Sequence, residues 1–493
     1  MRRNLWRTLA VHSLLGTAAC FHGASLNAIG EHVRHFFNES LGRIDDDGPP
    51  SPLLVDAAWS TSSTGYFIGC LVGSLCFAAI ADTFGRKITF VYVHNLLAIL
   101  ASLLQYGSVV WLASPELFIL GRILSGFAGF LAQAVSVFVV ECSPLQWRGF
   151  AGSVALMMSC AWTWLSTLLG LPSLLGDASK WPLIVVLTVP INVAHLVLAS
   201  GLPEAPKHLY ITRGDESAAR AAVAFYWDGE DVWDEQRAHF DEERLVGAHA
   251  RPSLWVVLRA AQTRWPMLIC AVLGGASSAT GANVVLSYST DLLTGLGASV
   301  ADAALGTVVI LAAATVGVLS VVSFSNAMER FGRRPMVCGG FAIGLAGNAM
   351  MLTAEFMPYQ WLSSALGLLG LFLVFGGYTM GPIFTLTVLP TELAPQSSRG
   401  FTVATASAAH WAVTVALGEA FPLLRTALGS YVYVPLGGSA LFALLFSLAF
   451  LPETKGRSVE EVVAPWAPRR RAYQEDTPLV RPRADQRIEF VHT

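Results

Sequence analysis

The chain has 493 residues, 54% of them apolar and 13% charged, with a formal net charge of −3 and a mean hydropathy of +0.55. Soluble domains carry about 25% charged residues, so lipid is the expected solvent and a water-soluble globular protein is excluded. A net charge this small gives no reason to expect nucleic acid as a partner.

The N-terminus reads Met1-Arg2-Arg3-Asn4-Leu5-Trp6-Arg7 and runs into apolar sequence over 9–29. No small-residue cleavage site follows and many more apolar runs do, so this run is expected to be a first span rather than a removed signal. Crossing the hydrocarbon takes about 20 mostly apolar residues. Runs of that kind lie near 9–29, 58–81, 88–110, 117–140, 150–171, 181–202, 265–289, 302–325, 335–354, 360–388, 401–421 and 431–451. They are expected to be helices, because lipid offers the backbone no hydrogen-bonding partners. Twelve spans put both termini on one side.

Lys and Arg set the orientation. With the N-terminus inside, the cytoplasmic segments hold Arg2, Arg3, Arg7, Arg86, Lys87, Arg148, Arg330, Arg333, Arg334 and Arg399, while the outer loops hold only Arg34, Arg43, Lys180 and Arg425. The first outer loop agrees, because Asn38-Glu39-Ser40 is a glycosylation sequon. Residues 203–264 mix acids and bases and read as a cytoplasmic helical linker. Residues 465–493 are rich in Pro and Arg and read as a disordered tail.

Cys20, Cys70, Cys76, Cys142, Cys160, Cys270 and Cys338 lie in or beside apolar runs without Cys-x-x-Cys spacing. They read as small apolar residues, not as a disulfide or metal framework. There is no phosphate-binding Gly-rich loop, no metal-ligand spacing and no nucleophile with a placed base. Neither a cofactor nor catalysis is expected.

Three motifs occur twice, each pair about 250 residues apart. Asp82-Thr83-Phe84-Gly85-Arg86-Lys87 answers Glu329-Arg330-Phe331-Gly332-Arg333-Arg334. Glu141 with Arg148-Gly149 answers Glu392 with Arg399-Gly400. Pro203-Glu204-Ala205-Pro206-Lys207 answers Pro452-Glu453-Thr454-Lys455. A shared offset means two six-helix halves in parallel orientation. The expected division is an N-terminal half over 1–202, the linker over 203–264, a C-terminal half over 265–451 and a cytoplasmic tail over 452–493. All six copies fall on the cytoplasmic side, and their charges serve as topology determinants. Acids and bases recurring together also point to an ion-pair network between the halves, a cytoplasmic gate. Its members are Asp82, Gly85, Arg86, Lys87, Glu141, Arg148, Glu204, Glu329, Gly332, Arg333, Arg334, Glu392, Arg399 and Glu453.

These motifs, with Gly121-Arg122 and Pro452-Glu453-Thr454-Lys455-Gly456-Arg457, resemble those of the major facilitator superfamily over roughly 8–462. Within it the chain is similar to the sugar porters and facilitative glucose transporters. Gly281-Ala282-Asn283 and Tyr288-Ser289-Thr290 look like that family's sugar-facing stretch. The resemblance implies an all-α membrane protein of the major facilitator fold, with twelve transmembrane helices in two six-helix halves.

The resemblance also implies a substrate site, from which this chain departs. Positions where sugar porters carry amides or other contacts read Leu156, Ser277, Ser278, Gly317 and Thr387, while Asn283 matches. An Asn-Trp pair reads His410-Trp411. A hexose would lose hydrogen-bonding partners, at about 1–3 kcal/mol for each group left unpaired. The cavity is therefore expected to be less polar and more aromatic, with Trp162, Trp164, Tyr288, Tyr378 and Trp411 as candidates. His22 stands where proton-coupled members carry an Asp, and a buried histidine is more often a satisfied core residue. Glu419, near the outer end of its span, is an intramembrane acid that Arg425 or water can satisfy. With no acid at position 22, passive uniport of a hexose-like solute is expected, at the plasma membrane. The alternatives are a carrier of urate or another organic anion, and a transport-inactive sensor of the same fold. Oligomeric state is not legible.

Overall fold

The computed structural model describes residues 3–43, 50–144, 147–227, 232–248, 254–323, 331–395, 398–457 and 459–466. Every regular element among them is helical. Eight continuous stretches are long and apolar enough to cross a membrane: Ile88–Leu112, Pro115–Glu141, Phe150–Leu169, Pro182–Ser200, Ala261–Gly295, Arg333–Glu355, Gln360–Met380 and Arg399–Phe450. The last of these runs through the two expected final spans.

The N-terminal half comprises α1 (Arg3–Ala10), α2 (Gly30–Gly42), α3 (Pro52–Phe84), α4 (His94–Gly107), α5 (Pro115–Glu141), α6 (Arg148–Leu169), α7 (Pro182–Val186) and α8 (Thr188–Ser200). The starts of α3 and α5 are written in sequence. Ser51 accepts from the Leu54 N–H ahead of Pro52, and Ser114 accepts from the Leu117 N–H ahead of Pro115.

The first expected span is not one regular helix. A π-helical turn at Val11–Leu15 and a 3₁₀ stretch at Ala18–Gly23 replace it. The carbonyls this frees are taken by side chains from distant helices. Trp162 Nε1 donates to Leu14 O at 2.7 Å, Thr163 Oγ1 to Cys20 O at 3.2 Å and Arg122 Nη1 to His22 O at 2.9 Å. Irregular backbone survives at membrane depth only when satisfied in this way. Trp162, an expected cavity aromatic, spends its indole N–H on this repair.

After α9 (Glu216–Trp227), α10 (Trp233–Ala248) and α11 (Leu254–Arg259), the C-terminal half comprises α12 (Ala261–Ala279), α13 (Ala282–Gly295), α14 (Val300–Ser323), α15 (Arg333–Glu355), α16 (Gln360–Met380), α17 (Phe384–Thr387), α18 (Leu389–Leu393), α19 (Arg399–Leu428) and α20 (Tyr433–Phe450), with α21 (Val459–Val463) beyond it. The expected span over 265–289 breaks at Gly281, whose φ of +94° suits glycine. Asn348 Nδ2 and Ser439 Oγ donate to the carbonyls of Thr280 and Ala279 at the break, at 3.0 and 2.7 Å.

The linker helices α9 and α10 belong to the first half. Trp227 Nε1 donates to Cys142 O at 2.7 Å and Tyr226 to Pro203 O at 2.8 Å. Phe138, Val139, Tyr226, Trp227 and Phe240 share one core there. Val462 of α21 is instead buried with Ile269 and Leu389 of the second half. The halves meet where α3 lies on α19 and α6 on α14. All seven cysteines are free.

Candidate functional site

The repeated charged motifs build the same clasp twice. In the first half Arg86 Nε donates to Glu141 at 3.3 Å, the Lys87 N–H to Glu204 at 2.9 Å and Lys87 Nζ to Ser200 O at 2.7 Å. In the second, Arg333 Nε and Nη2 grip Glu392 at 3.1 and 2.9 Å, and the Arg333 N–H donates to Glu453 at 2.9 Å. Arg334 Nη2 donates to Leu448 O at 2.5 Å. Gly85 and Gly332 have φ of +94° and +89°. A Cβ at either would press on the carboxylate of Glu204 or Glu453, so glycine is required for two reasons. Burial pushes the Glu204 carboxyl above the usual range, against the N–H donors of Ala205 and Lys87. Burial opposes ionisation of Glu453 too, but four N–H donors, from Lys455, Arg333, Arg334 and Thr454, hold it below that range.

Every described pair in these clasps joins helices of one half. Among the described residues, no pair of these clasps joins the two halves. Arg399 is half-buried, with a buried Nε that has no hydrogen-bond partner among the described residues. The side chains of Asp82, Arg148 and Thr387, and the whole of Glu329, lie outside the described residues.

The described hydrogen bonds that do join the halves lie at the opposite end. Asn27 Nδ2 donates to Val285 O, Leu286 O and Ser289 Oγ at 3.1, 2.7 and 2.8 Å, and its Oδ1 accepts from the Thr290 N–H at 3.2 Å. Arg34 pairs with Asp291 at 3.1 Å. Glu419 accepts from Ser60 at 2.7 Å and from Thr64, so hydroxyls of α3, rather than Arg425, satisfy it. Below this seal Phe67 stacks on Trp411 at 6.0 Å.

At mid-span the expected substrate residues of the second half come together. Asn283 Nδ2 reaches Thr414 Oγ1 at 3.0 Å, Ser278 Oγ at 3.3 Å and His410 Nε2 at 3.4 Å. Ser277 Oγ meets His410 Nδ1 at 3.1 Å and Ser278 Oγ meets Thr414 Oγ1 at 2.6 Å. Tyr378 stacks on His410 at 6.0 Å. Ser277, Ser278, Asn283, His410 and Thr414 satisfy one another and are buried, while Tyr378 is half-buried. Tyr288 stands apart, donating to Gly418 O at 3.1 Å beside Phe421. Leu156 lies half-buried on α6. His22 is far from this cluster, where its Nε2 meets Ser102 and Thr188 hydroxyls at 3.2 and 3.1 Å.

The sequence reading missed Asn27 and the Arg34–Asp291 pair. An amide inside the first apolar run was the available signal for Asn27. Thr414 was also missed, and one more hydroxyl in an apolar run is no signal.

A family model described as "Sugar (and other) transporter" matches residues 9–466. The chain is 31% identical over 448 residues to human "Solute carrier family 2, facilitated glucose transporter member 4", covering 89% of this chain and 86% of the relative. It is 29% identical over 449 residues to "Facilitated glucose transporter protein 1" of Caenorhabditis elegans, covering 90% and 85%. Among solved structures it resembles the inward-open xylose transporter XylE from E. coli, with a TM-score of 0.75 at 18% identity over 94% of this chain and 100% of that one. XylE bound to 6-bromo-6-deoxy-D-glucose, described as a proton:xylose symporter of the major facilitator superfamily, gives 0.75 at 19% over 94% and 99%.

Proposed function

Because the chain belongs to the sugar transporter family, with the major facilitator fold, and is a transporter rather than an enzyme, we propose that it carries a hexose-like solute passively by alternating access. The seal on one face carries this reading. Asn27, Arg34, Ser60 and Thr64 of one half grip the other half at the face bearing the loop of Asn38. A seal of hydrogen bonds between two rigid halves can break and re-form without rearranging either core. The polar cluster at Asn283 and His410 belongs to the second half, beside Trp411, which stacks on Phe67 of the first half. The cytoplasmic clasps act as the second gate once the outer face opens.

The Lys and Arg bias supports cytoplasmic termini, and the sequon supports an outer loop at the plasma membrane. Asn38→Gln is expected to remove a glycosidase-sensitive size shift from the protein at the cell surface. A shift that persists in the variant refutes glycosylation at Asn38.

The substrate class rests on the relatives' names and on the site's hydroxyls and amide. The decisive experiment is uptake of a panel of radiolabelled hexoses, polyols and organic anions into proteoliposomes, with and without a proton gradient. Saturable hexose or polyol uptake that equilibrates, and is insensitive to a protonophore, is expected. D-glucose itself should be carried weakly, because Ser277 and Ser278 already bond to His410 and Thr414. Leu156→Gln, Ser277→Gln and Ser278→Gln together should raise glucose uptake by restoring paired donors and acceptors. Accumulation driven by the gradient rules out uniport. Uptake of organic anions alone rules out the sugar reading.

A further inference from the structure

Arg122 on α5 is 1% exposed, deep in the first half. Its Nε donates to Ser62 O at 3.2 Å, and its Nη1 to His22 O at 2.9 Å and Ser25 Oγ at 3.4 Å. The guanidinium carbon lies 5.6 Å from the centre of the Tyr66 ring. Its Nη2 donates to none of the described residues. All these partners are neutral. Tyr66 and Cys70 also lie near its charge, and neither is ionised at neutral pH. The acid nearest the cytoplasm on the same helix, Glu141, is taken by Arg86. Glu419 is taken by Ser60 and Thr64.

A second observation comes from the residues that hold the guanidinium. Ser62 and His22 touch it through their carbonyls, yet Ser62 Oγ, the adjacent Ser63 Oγ and His22 Nδ1 are buried with no hydrogen-bond partner among the described residues. The three residues are 0%, 4% and 0% exposed. Buried charges are normally paired, and buried hydroxyls normally bonded. Here a permanent cation and three unspent polar atoms share one region of the membrane interior, on the first span, α3 and α5. Hydroxyls donate, His22 Nδ1 donates in the tautomer whose Nε2 accepts from Ser102 or Thr188, and a guanidinium donates with full charge. A buried guanidinium beside unspent hydroxyls suits an anion small enough to enter between helices.

We propose that this region is a binding site for a monovalent anion, which neutralises Arg122. The ligand chemistry is a halide or a single carboxylate group. The first would come from bulk salt, and the second from a carboxylated sugar. The site lies in the first half alone, apart from the Asn283–His410 cluster, so a neutral solute and the anion can be bound together.

Thermal unfolding of the purified full-length protein tests this without reference to transport. Chloride is titrated at constant ionic strength against methanesulfonate, and glucuronate is titrated separately. A ligand that binds only the native state raises the midpoint saturably. The expected result is such a rise with chloride. It should vanish in His22→Asp, which places a carboxylate beside the guanidinium, and in Arg122→Gln, which removes the cation. The imidazole of His22 is close enough to Arg122 to feel its charge, so the first variant supplies the missing counter-ion from within. A rise with glucuronate but not chloride, lost in the same variants, assigns the site to a carboxylate of the solute. A midpoint that no anion moves, or that moves equally in whichever of the two variants folds, overturns the proposal.

Discussion

Replacing Asn27 by alanine is expected to push the carrier towards its outward-open state. The two N–H groups of its Nδ2 are shared among three acceptors of the second half and its Oδ1 accepts from a fourth group, all within 3.2 Å. Two of its acceptors, Val285 O and Leu286 O, are main-chain carbonyls of α13. Each bond contributes about 0.5–1.5 kcal/mol net. With part of the loss recovered by water, about 2–4 kcal/mol is removed from the sealed state alone. That changes the ratio of the two states by on the order of 30- to 700-fold. Cysteine placed at Ser278 reports the change through a membrane-impermeant maleimide applied outside intact cells. Its labelling rate should rise steeply in Asn27→Ala and hardly at all in Arg34→Ala, since the Arg34–Asp291 side chains are 41% and 35% exposed and such pairs contribute little. Equal labelling with and without Asn27 removes it from the gate.

The second large effect belongs to the cytoplasmic clasp. Arg333 and Glu392 form a two-pronged pair with side chains only 13% and 26% exposed. This lies between the weak surface pair and the fully buried one, so losing it changes the conformational balance by about 1–3 kcal/mol, roughly 5- to 150-fold. Arg333→Ala and Glu392→Ala should each cut solute uptake within that range, while surface expression stays near normal. The double variant should lose much less than the product of the two, because the partners are coupled. Wild-type uptake in both single variants excludes a gating role. Multiplicative losses exclude the pair as the cause.

The spans were legible because lipid leaves one solution to an apolar run of twenty residues. The clasps were legible as repeats, because acids, bases and glycines recur at one spacing. Which acid meets which base was not. Arg333 has Glu392 and Glu453 within reach of the motif, and only the fold shows that its side chain takes the first and its N–H the second. The broken first span was also hidden. Its stability depends on Trp162, Thr163 and Arg122, which cap carbonyls more than ninety residues away in sequence. At the substrate cluster the sequence reading located the residues but not their state. Ser277, Ser278, Asn283 and His410 are spent on one another and on Thr414.

The described clasps hold each half to itself at one end, whereas Asn27, Arg34 and Glu419 hold the halves to each other at the other. The carrier is therefore asymmetric at rest. With the cytoplasmic termini proposed above, a solute approaching from the cytoplasm meets this conformation, and one approaching from outside must wait for the opposite one. Apparent affinity falls in proportion to the fraction of molecules competent to bind. Half-saturation should accordingly be reached at lower concentration for exit than for entry. For the passive carrier proposed above, the gradient still sets the net direction of flow, and this asymmetry makes exit the more sensitive direction.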